Sequence, residues 1–416
     1  MLTRAALEAD LAEHAFGSSA AATLAPRRLG AEVELIPVEA ATGRRCGIDS
    51  EGTLSTLPFL RAYGIKQSWR ESLTGKGTPC FTLPEGGTLT FEPGGQLESS
   101  SPPFSSASAL LEVLRGVIPP LRAAAASDGI DLVAIGLDPY NSEQEAPLLL
   151  QARRYERMAE YLARRGPAGA RMMRQTAAFQ INVDFDDEPW LRWRVLNAAA
   201  PFFVAIFANS PIYAGERTGH QSSRADAWRK LDPTRTGLPY QEGTPVQAYL
   251  DFALNAPAIL LPEVEGEHRT FGEWLVGASI TPEEWQEHLS TLFPEVRPRG
   301  HLELRSTDAI APDWYAAPLA LAAGMLYDSH ALRAAADLLP PPDLGLLKRA
   351  GRLGVHDAAI ASTSADLFEL ALAGCARLGP TYFHPSDLEQ ARAYFDRYTR
   401  RGRAPADDLL RNAIAA

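Results

Sequence analysis

The stretch LGAEVELIPVE, residues 29–39, has the alternating pattern of a β-strand with one charged face. Side chains two residues apart on a strand project from the same face, about 7 Å from one another. Glu32 and Glu34 therefore point to one side of the predicted strand, while Val33 and Leu35 point to the other. We expect the apolar side to pack on a core and the two carboxylates to lie together on the opposite face.

Three other segments repeat this arrangement of polar and apolar faces. Their polar positions are Gln180, Asn182 and Asp184 in residues 179–185, His301, Glu303 and Arg305 in residues 300–307, and Thr88, Thr90, Glu92 and Glu98 in residues 88–98, where a Pro93-Gly94-Gly95 turn intervenes. Taken singly, each segment is typical of a half-solvated antiparallel sheet. Together they supply mainly carboxylates and amides, with one arginine and no lysine.

So many like charges on one face repel each other unless cations neutralise them. Hard divalent cations with oxygen ligands do this, and magnesium bound together with nucleotide phosphates is a common biological combination. No histidine or cysteine cluster has the spacing of a zinc site. The sequence also lacks the GxxxxGK[ST] and strand-following GxGxxG motifs. If a nucleotide binds, we therefore expect it to bind on the sheet through metal ions and arginines.

Composition excludes several other classes of protein. A formal net charge of -11 argues against a nucleic-acid-binding protein, because phosphate backbones require a basic surface. The apolar stretch Ala198–Ala208 is far shorter than the roughly 20 residues of a membrane span, and the N-terminus lacks the pattern of a signal peptide. Three scattered cysteines suit a reduced setting. We expect a soluble cytoplasmic protein.

The pattern along the chain predicts one α+β catalytic domain covering residues 1–416. A mainly antiparallel sheet with flanking helices occupies about residues 29–310, and a helical C-terminal part covers about residues 311–416. Residues 40–90 are rich in Gly, Thr and Pro and are interpreted as hairpins and long loops. Ser386 and Glu389 predict a capping box for the last long helix.

FEPGGQLESSSPP, residues 91–103, resembles the FEPGGQxELSGxP signature of the plant and bacterial glutamate–cysteine ligases. Further stretches match this family in order, namely Arg154-Tyr155 with Met158 and Tyr161, Met172-Met173 through QINVD at 180–184, and Asn209-Ser210-Pro211 through Arg224, Trp228 and Arg235-Thr236-Gly237. Residues 288–308, HLSTLFPEVRPRGHLELRSTD, are similar to the actinobacterial enzymes of the ergothioneine pathway. The resemblance spans about residues 29–310.

This resemblance implies a glutamine-synthetase-like active site on a curved sheet and an ADP-forming ligase. ATP phosphorylates the γ-carboxylate of glutamate, and the amine of cysteine attacks the acyl phosphate to give γ-glutamylcysteine. The reaction is the first step of glutathione or ergothioneine synthesis. The implied ligands are glutamate, cysteine and ATP with two or three Mg²⁺ ions, bound by a monomer or homodimer.

The resemblance also implies roles for individual residues. The implied metal ligands are Glu32, Glu34, Glu92, Glu98, Gln180 and Glu303. Arg305 and Glu303 are the implied catalytic residues. Arg305 would stabilise the transferred phosphoryl group, and Arg235 is a further implied phosphate contact. Arg224 is expected to bind the α-carboxylate of glutamate. Asn182 and Arg154 are the remaining candidates for substrate binding.

Several alternatives remain open at this point. The chain could join a different acid or amine, or be a non-catalytic relative that binds glutamate or a nucleotide. Arg305 could form a salt bridge with Glu303 or Glu34, and Arg224 could be a surface arginine. Ser99-Ser100-Ser101 departs from the Ser-Gly of the family motif, which puts the loop beside Glu98 in doubt. The segments 40–90 and 215–243 are candidate lids over the acyl phosphate.

Overall fold

A mainly antiparallel sheet forms the centre of the computed structural model, which describes residues 2–17, 27–75, 77–239, 244–264, 266–277 and 279–415. Its strands are β1 (Leu29–Glu39), β2 (Arg70–Leu73), β3 (Pro79–Thr82), β4 (Thr88–Phe91), β5 (Leu97–Ser100), β6 (Ile130–Val133), β7 (Phe179–Val183), β8 (Ile212–Tyr213), β9 (Glu216–Arg217), β10 (Val296–Pro298) and β11 (Leu302–Leu304). The main sheet has the order β10-β11-β7-β1-β5-β4-β3-β2, with β6 beside the second half of β1. Strands β8 and β9 form a separate hairpin.

β1 is the central strand because it is long enough to pair with three antiparallel neighbours. Its first half lies between β7 and β5, so that Glu32 faces Gln180 on one side and Ser100 on the other. Its second half pairs with β6. On the opposite face, Val33 and Leu35 are buried in the main hydrophobic core. The strand predicted from residues 29–39, with its charged and apolar faces, is confirmed.

Helices surround this sheet and cover its apolar face. They are α1 (Arg4–Asp10), α2 (Thr56–Lys66), α3 (Ala107–Ser127), α4 (Arg153–Ala163), α5 (Ala168–Gln175), α6 (Pro189–Ile206), α7 (Ser223–Arg229), α8 (Pro233–Thr236), α9 (Pro245–Asn255), α10 (Phe271–Gly277), α11 (Pro282–Leu289), α12 (Ala316–Tyr327), α13 (Ser329–Leu338), α14 (Leu344–Leu353), α15 (Ala358–Leu378), α16 (Pro385–Arg397) and α17 (Pro405–Ala415). Of these, α3 contacts β1 and β6, and α12 contacts β7. The predicted α+β class, with a mainly antiparallel sheet and a helical C-terminal part, is confirmed.

The C-terminal helices pack on the sheet region through α12, which is buried along its whole length. α12 crosses α15 at a point where both helices carry glycine. A Cβ atom on Gly324 would lie 2.0 Å from the carbonyl oxygen of Ala371, so this approach excludes any larger residue. One hydrophobic cluster includes residues from Leu7 to Ala404 and joins the two parts. That they form a single domain stays a prediction.

Helix α15 is the one helix of the described chain that is long and apolar enough, by length and composition, to cross a membrane. Its most apolar window is 44% buried. The buried side of α15 packs against α12, α13 and α16, as in the core helix of a globular protein.

Two details of the predicted secondary structure are wrong. Residues 40–90 contain the helix α2 as well as hairpins and loops. The capping box predicted at Ser386 is not formed, because the N-cap of α16 is His384, whose side chain accepts a hydrogen bond from the backbone N–H of Ser386. Pro385 takes the first helical position, where its missing N–H costs nothing, and this moves the start of the helix forward.

Candidate active site

The polar face of the main sheet forms the floor of a cavity of about 780 Å³. Its walls come from α4, α5, α7, α9 and α11 and from the first helical segment of the chain. The predicted site residues that line it are Glu32, Glu34, Glu92, Glu98, Gln180, Arg154, Arg224 and Arg305. Glu303, Asn182 and Arg235 are not among the lining residues. No described residue of the candidate lid 40–90 lines it, whereas Arg224 and Trp228 of the candidate lid 215–243 do.

The carboxylate end of the cavity consists of Glu32, Glu34, Glu92 and Glu98. Glu34 lies directly opposite Glu98 across the β1–β5 pair. Burial, reinforced by the charge of Glu92, raises the pKa of Glu34 to about 7. Burial and three neighbouring carboxylates likewise raise the pKa of Glu98 well above its ordinary value. The charged forms of Glu34 and Glu98 are therefore disfavoured, and a proton or a cation would stabilise these two carboxylates.

Strand β7 orients two of these carboxylates through its amide side chains. Gln180 Nε2 donates a hydrogen bond of 2.8 Å to Glu34 Oε1, and Asn182 Nδ2 donates one of 3.1 Å to Glu32 Oε1. The second oxygen of Glu34 accepts from the backbone N–H of Ala178 at 2.8 Å. Asn182 is not among the residues that line the cavity, and its predicted contact with substrate stays a prediction.

The arginine end of the cavity consists of Arg297, Arg299 and Arg305 around Glu303, which is fully buried. Arg297 holds Glu303 with two hydrogen bonds of 2.8 Å, Arg299 approaches to 3.5 Å, and Arg305 also pairs with it. Burial alone would raise the pKa of Glu303, but Arg297 and Arg305 reverse this and hold the pKa well below its ordinary value. The salt bridge between Arg305 and Glu303, weighed above as an alternative, is formed.

Arg305 connects the two ends of the cavity. Its NH1 group donates to Gln180 Oε1 at 2.7 Å as well as to Glu303. The Nε atom of Arg305 is buried without a hydrogen-bond partner. A guanidinium with an unused buried donor is suited to an anionic ligand such as a phosphoryl group.

The oxygen-rich carboxylate end fits a hard divalent cation by its chemistry. Within the described ranges, however, no three Asp, Glu, His or Cys side chains converge closely enough to hold a metal ion by themselves. Mg²⁺ keeps several waters and commonly takes substrate phosphate oxygens as ligands, so one or two carboxylates suffice at such a site. Burial and neighbouring carboxylates raise the pKa values of Glu34 and Glu98, and a cation bound beside them would stabilise their charged forms.

Arg224 lies at the N-terminus of α7, where it is almost fully buried and not on the surface. Its backbone N–H donates to Ser210 Oγ at 3.2 Å, and its NH2 group donates to the carbonyl oxygen of Arg305 at 2.8 Å. The guanidinium stacks on the Trp228 ring, 4.7 Å from the centroid, and its Nε atom has no hydrogen-bond partner. Burial lowers the pKa of Arg224. This is a fixed cation facing the cavity, which is the arrangement expected for a carboxylate receptor.

The guanidinium groups of Arg154 and Arg235 form hydrogen bonds within the protein, although the resemblance implies that they bind ligands. Arg154 lines the cavity, but both of its terminal nitrogens bond Ser290, with 2.6 Å to the carbonyl oxygen. Arg235 is buried outside the cavity lining and donates to the carbonyl oxygen of Thr291 at 3.0 Å and to that of Pro257. Its predicted phosphate contact stays a prediction that the cavity geometry does not support.

Arg297 and Arg299 are residues of the site that the sequence analysis missed. Both alternate with apolar or proline positions in VRPRGHLELR, residues 296–305. Gly300, with a φ of 75°, makes the turn that pairs β10 with β11. A glycine with two-residue alternation on both sides is typical of a β-hairpin. In this hairpin Arg297 lies opposite Glu303.

Residues 28–415 match the model of glutamate–cysteine ligase family 2 (GCS2). The chain is 33% identical over 351 residues to the glutamate–cysteine ligase EgtA of Mycolicibacterium smegmatis, an alignment that covers 80% of this chain and 79% of that protein. It is 29% identical over 408 residues to the chloroplastic glutamate–cysteine ligase of Arabidopsis thaliana, covering 92% of this chain and 76% of that one.

A solved structure has a similar fold. The crystal structure of the glutamate–cysteine ligase of Francisella tularensis in complex with AMP superposes with a TM-score of 0.55, at 13% identity, over 93% of this chain and 84% of that one. The sequence motifs, the match over most of the chain and the fold agree. The chain therefore belongs to glutamate–cysteine ligase family 2.

Proposed function

We propose that this chain is an ATP- and Mg²⁺-dependent ligase that joins the γ-carboxyl group of glutamate to the amine of cysteine and releases ADP. The observation that carries the proposal is the convergence, in one cavity, of two kinds of side chain. Glu34 and Glu98 face each other across β1 and β5, and Arg224 and Arg305 each have a buried Nε atom without a hydrogen-bond partner. Membership of a ligase family and 33% identity to EgtA support the same reaction.

The proposed cation ligands are Glu32, Glu34, Glu92, Glu98 and Gln180. When bound there, Mg²⁺ would neutralise the triphosphate and polarise the transferred phosphoryl group. For Gln180 Oε1 and for Glu303 to become ligands, Arg305 has to release them, because it now donates to both. Two or three ions, as the resemblance implies, are part of this proposal.

In the proposed reaction, Arg224 and Arg305 position the two substrates. Arg224 binds the α-carboxylate of glutamate, since its guanidinium is fixed by Trp228 and by the carbonyl oxygen of Arg305. Because Arg224 contacts the Arg305 backbone, the glutamate lies beside the residue that stabilises the phosphoryl group. The γ-carboxylate then attacks the terminal phosphorus of ATP, ADP leaves, and the amine of cysteine displaces phosphate from the acyl phosphate.

An apolar wall completes the proposed site. Met158, Met172, Met173 and Phe293 line the cavity and belong to one hydrophobic cluster between α4, α5 and α7. Apolar lining reduces the access of water, which would otherwise hydrolyse an acyl phosphate before the amine arrives.

A reduced cytoplasmic setting is part of the proposal. Cys46, Cys80 and Cys375 are all free thiols, and Cys46 and Cys375 are buried. From the sequence, we propose that the protein is a monomer or homodimer and that it has no nucleic-acid or membrane partner.

The experiment is an ADP-release assay on the purified protein with ATP, Mg²⁺, glutamate and a panel of amines. We expect rapid ADP release that requires both glutamate and cysteine, with γ-glutamylcysteine identified by mass spectrometry. Equal or faster turnover with another amine or acid would replace the assigned substrates. No turnover with any pair would favour a non-catalytic binding protein.

A further inference from the structure

The family match begins at residue 28, yet a segment before it forms part of the cavity. Asp10, His14 and Ala15 line the cavity beside Arg299 and Gln286. We propose that this N-terminal segment, residues 4–16, is the wall that receives the nucleoside of ATP, with His14 and Gln286 as its contacts and Asp10 as the residue that positions them. The inference rests on the proposed use of ATP.

The segment is anchored to the body of the protein and has a defined geometry. Leu7, Leu11 and Phe16 are buried, and the Phe16 ring lies 5.2 Å from that of Trp193. Residues 11–15 form a π-helical turn, closed by a 2.9 Å hydrogen bond from the Phe16 N–H to the Leu11 carbonyl oxygen. Such turns are uncommon and occur frequently at functional sites. Here the turn buries Leu11 and Phe16 while Asp10 and His14 face the cavity.

The segment also holds the hairpin that carries the arginine end. The backbone N–H of Gly300, at the turn between β10 and β11, donates to the carbonyl oxygen of Ala15 at 2.7 Å. Arg299 immediately precedes this turn, and Arg297 lies two residues earlier on β10. The N-terminal segment and the cavity arginines are therefore one continuous surface.

Asp10 orients two polar groups on this surface. Its Oδ2 atom accepts from Trp285 Nε1 at 2.8 Å and from Gln286 Nε2 at 3.0 Å, and its Oδ1 atom lies 3.0 Å from His14 Nδ1. Because Gln286 uses its nitrogen on Asp10, its Oε1 atom is left to accept a hydrogen bond from a ligand. His14 likewise uses Nδ1 on Asp10 and keeps Nε2. A pair of this kind suits the amino group, ring nitrogens or hydroxyls of a nucleoside, and not a phosphate.

The N-terminal segment lies at a distance from Glu34 and Arg305 that an ATP molecule can span. Three strand spacings separate β1, with Glu34, from β10, with Arg297, which is about 14 Å. With the terminal phosphoryl group of ATP near Glu34 and Arg305, the nucleoside at the other end of the molecule would lie beyond Arg297, toward the β10–β11 turn. Arg224, proposed to hold glutamate, contacts Arg305 at the other end of β11, about 13 Å from the turn. The two substrates therefore do not compete for the same wall.

The test is a calorimetric comparison of ATP with inorganic tripolyphosphate, each with Mg²⁺, for wild type, His14→Ala, Gln286→Ala and Asp10→Asn. His330→Ala and Asp337→Asn, at exposed positions of α13, are the matched controls. We expect the three wall variants to weaken ATP binding roughly three- to tenfold, the effect of losing about one hydrogen bond. Tripolyphosphate binding should change less than about twofold, and the KM for ATP should rise while that for glutamate does not.

If the three wall variants bind ATP and tripolyphosphate equally more weakly, or bind both as tightly as wild type, the nucleoside assignment is overturned. His14 and Gln286 are exposed side chains, so these two variants are expected to fold even if Asp10→Asn does not. A wild-type protein that binds neither ATP nor tripolyphosphate would instead overturn the proposed function, and this inference with it.

Discussion

Glu98, which is half-buried, and Glu303, which is fully buried, are both carboxylates of the sheet that underlies the cavity, but they differ in what surrounds them. Glu98 accepts one hydrogen bond, from Ser100 Oγ at 3.0 Å, and faces three other carboxylates. Glu303 receives a bidentate pair from Arg297 and further contacts from Arg299 and Arg305. As a result the pKa of Glu98 is raised and that of Glu303 is lowered.

The surroundings of Glu98 and Glu303 indicate which of the two carboxylates can accept a cation. At the carboxylate end, a cation relieves repulsion that the fold leaves in place. At the arginine end, positive charge is already present, so an added cation has to displace a guanidinium. We therefore regard the arginine end as the place for anions, and the carboxylate end as the place for Mg²⁺.

The largest expected effect is that of Glu303→Gln on stability. Removing this charge leaves Arg297 and Arg305 buried without their counterion, which we expect to lower the free energy of unfolding by about 3 kcal/mol. Chemical denaturation measures it. Arg299→Gln is the matched control, since Arg299 is 54% exposed and its 3.5 Å contact should contribute less than about 1 kcal/mol. If Glu303→Gln is as stable as wild type, the arginine end does not depend on its carboxylate.

The next effect concerns Arg224, which faces the arginine end from α7. Arg224→Lys keeps the charge but loses the planar fork and the stacking on Trp228. We expect the KM for glutamate to rise about 30-fold, near 2 kcal/mol, while the KM for ATP changes less than about threefold. Steady-state kinetics measure both, with the exposed Arg217→Lys as control. An equal rise of the two constants would remove Arg224 from the glutamate site.

The smallest effect is opposite in sign and belongs to the carboxylate end. The pKa of folded Glu98 is raised above the ordinary value of 4.5, so the folded wild type binds more protons than the unfolded chain. Its stability therefore falls as pH rises from about 4.5 toward the raised pKa. Glu98→Gln does not titrate and escapes this loss.

With divalent cations removed by EDTA, we expect Glu98→Gln to be more stable than wild type at pH 8 and nearly equal to it at pH 4.5. Thermal or chemical unfolding at several pH values measures the difference. Glu216→Gln, on the exposed β9 strand, should show no such dependence. A wild type that is more stable than Glu98→Gln at pH 8 would mean that Glu98 is already neutralised.

Much of this site follows from local sequence pattern. The two-residue alternation in residues 29–39 and 179–185 predicted which side chains share a face, because a strand permits no other arrangement once its apolar side is buried. The motif FEPGGQ predicted the turn between β4 and β5, where the Gly95 N–H bonds the Glu92 carbonyl oxygen at 2.8 Å.

The parts that could not be predicted depend on contacts between distant segments. Sequence order does not reveal that β10 and β11 extend the sheet beyond β7, so the arginines around Glu303 were missed. Asn182 and Arg235 have the right residue types for ligand contacts, but long-range packing directs them to Glu32 and Thr291. The N-terminal wall was equally hidden, because only the folded chain brings Asp10 to Gln286.

We propose that the carboxylate end binds the divalent cation of the reaction, and calorimetry measures this binding. Mg²⁺ is titrated into the protein, which is first saturated with a non-hydrolysable ATP analogue. We expect Glu98→Gln to bind Mg²⁺ at least about tenfold more weakly than wild type, whereas Glu216→Gln should bind it equally well. An unchanged Mg²⁺ affinity in Glu98→Gln would show that the cation binds elsewhere.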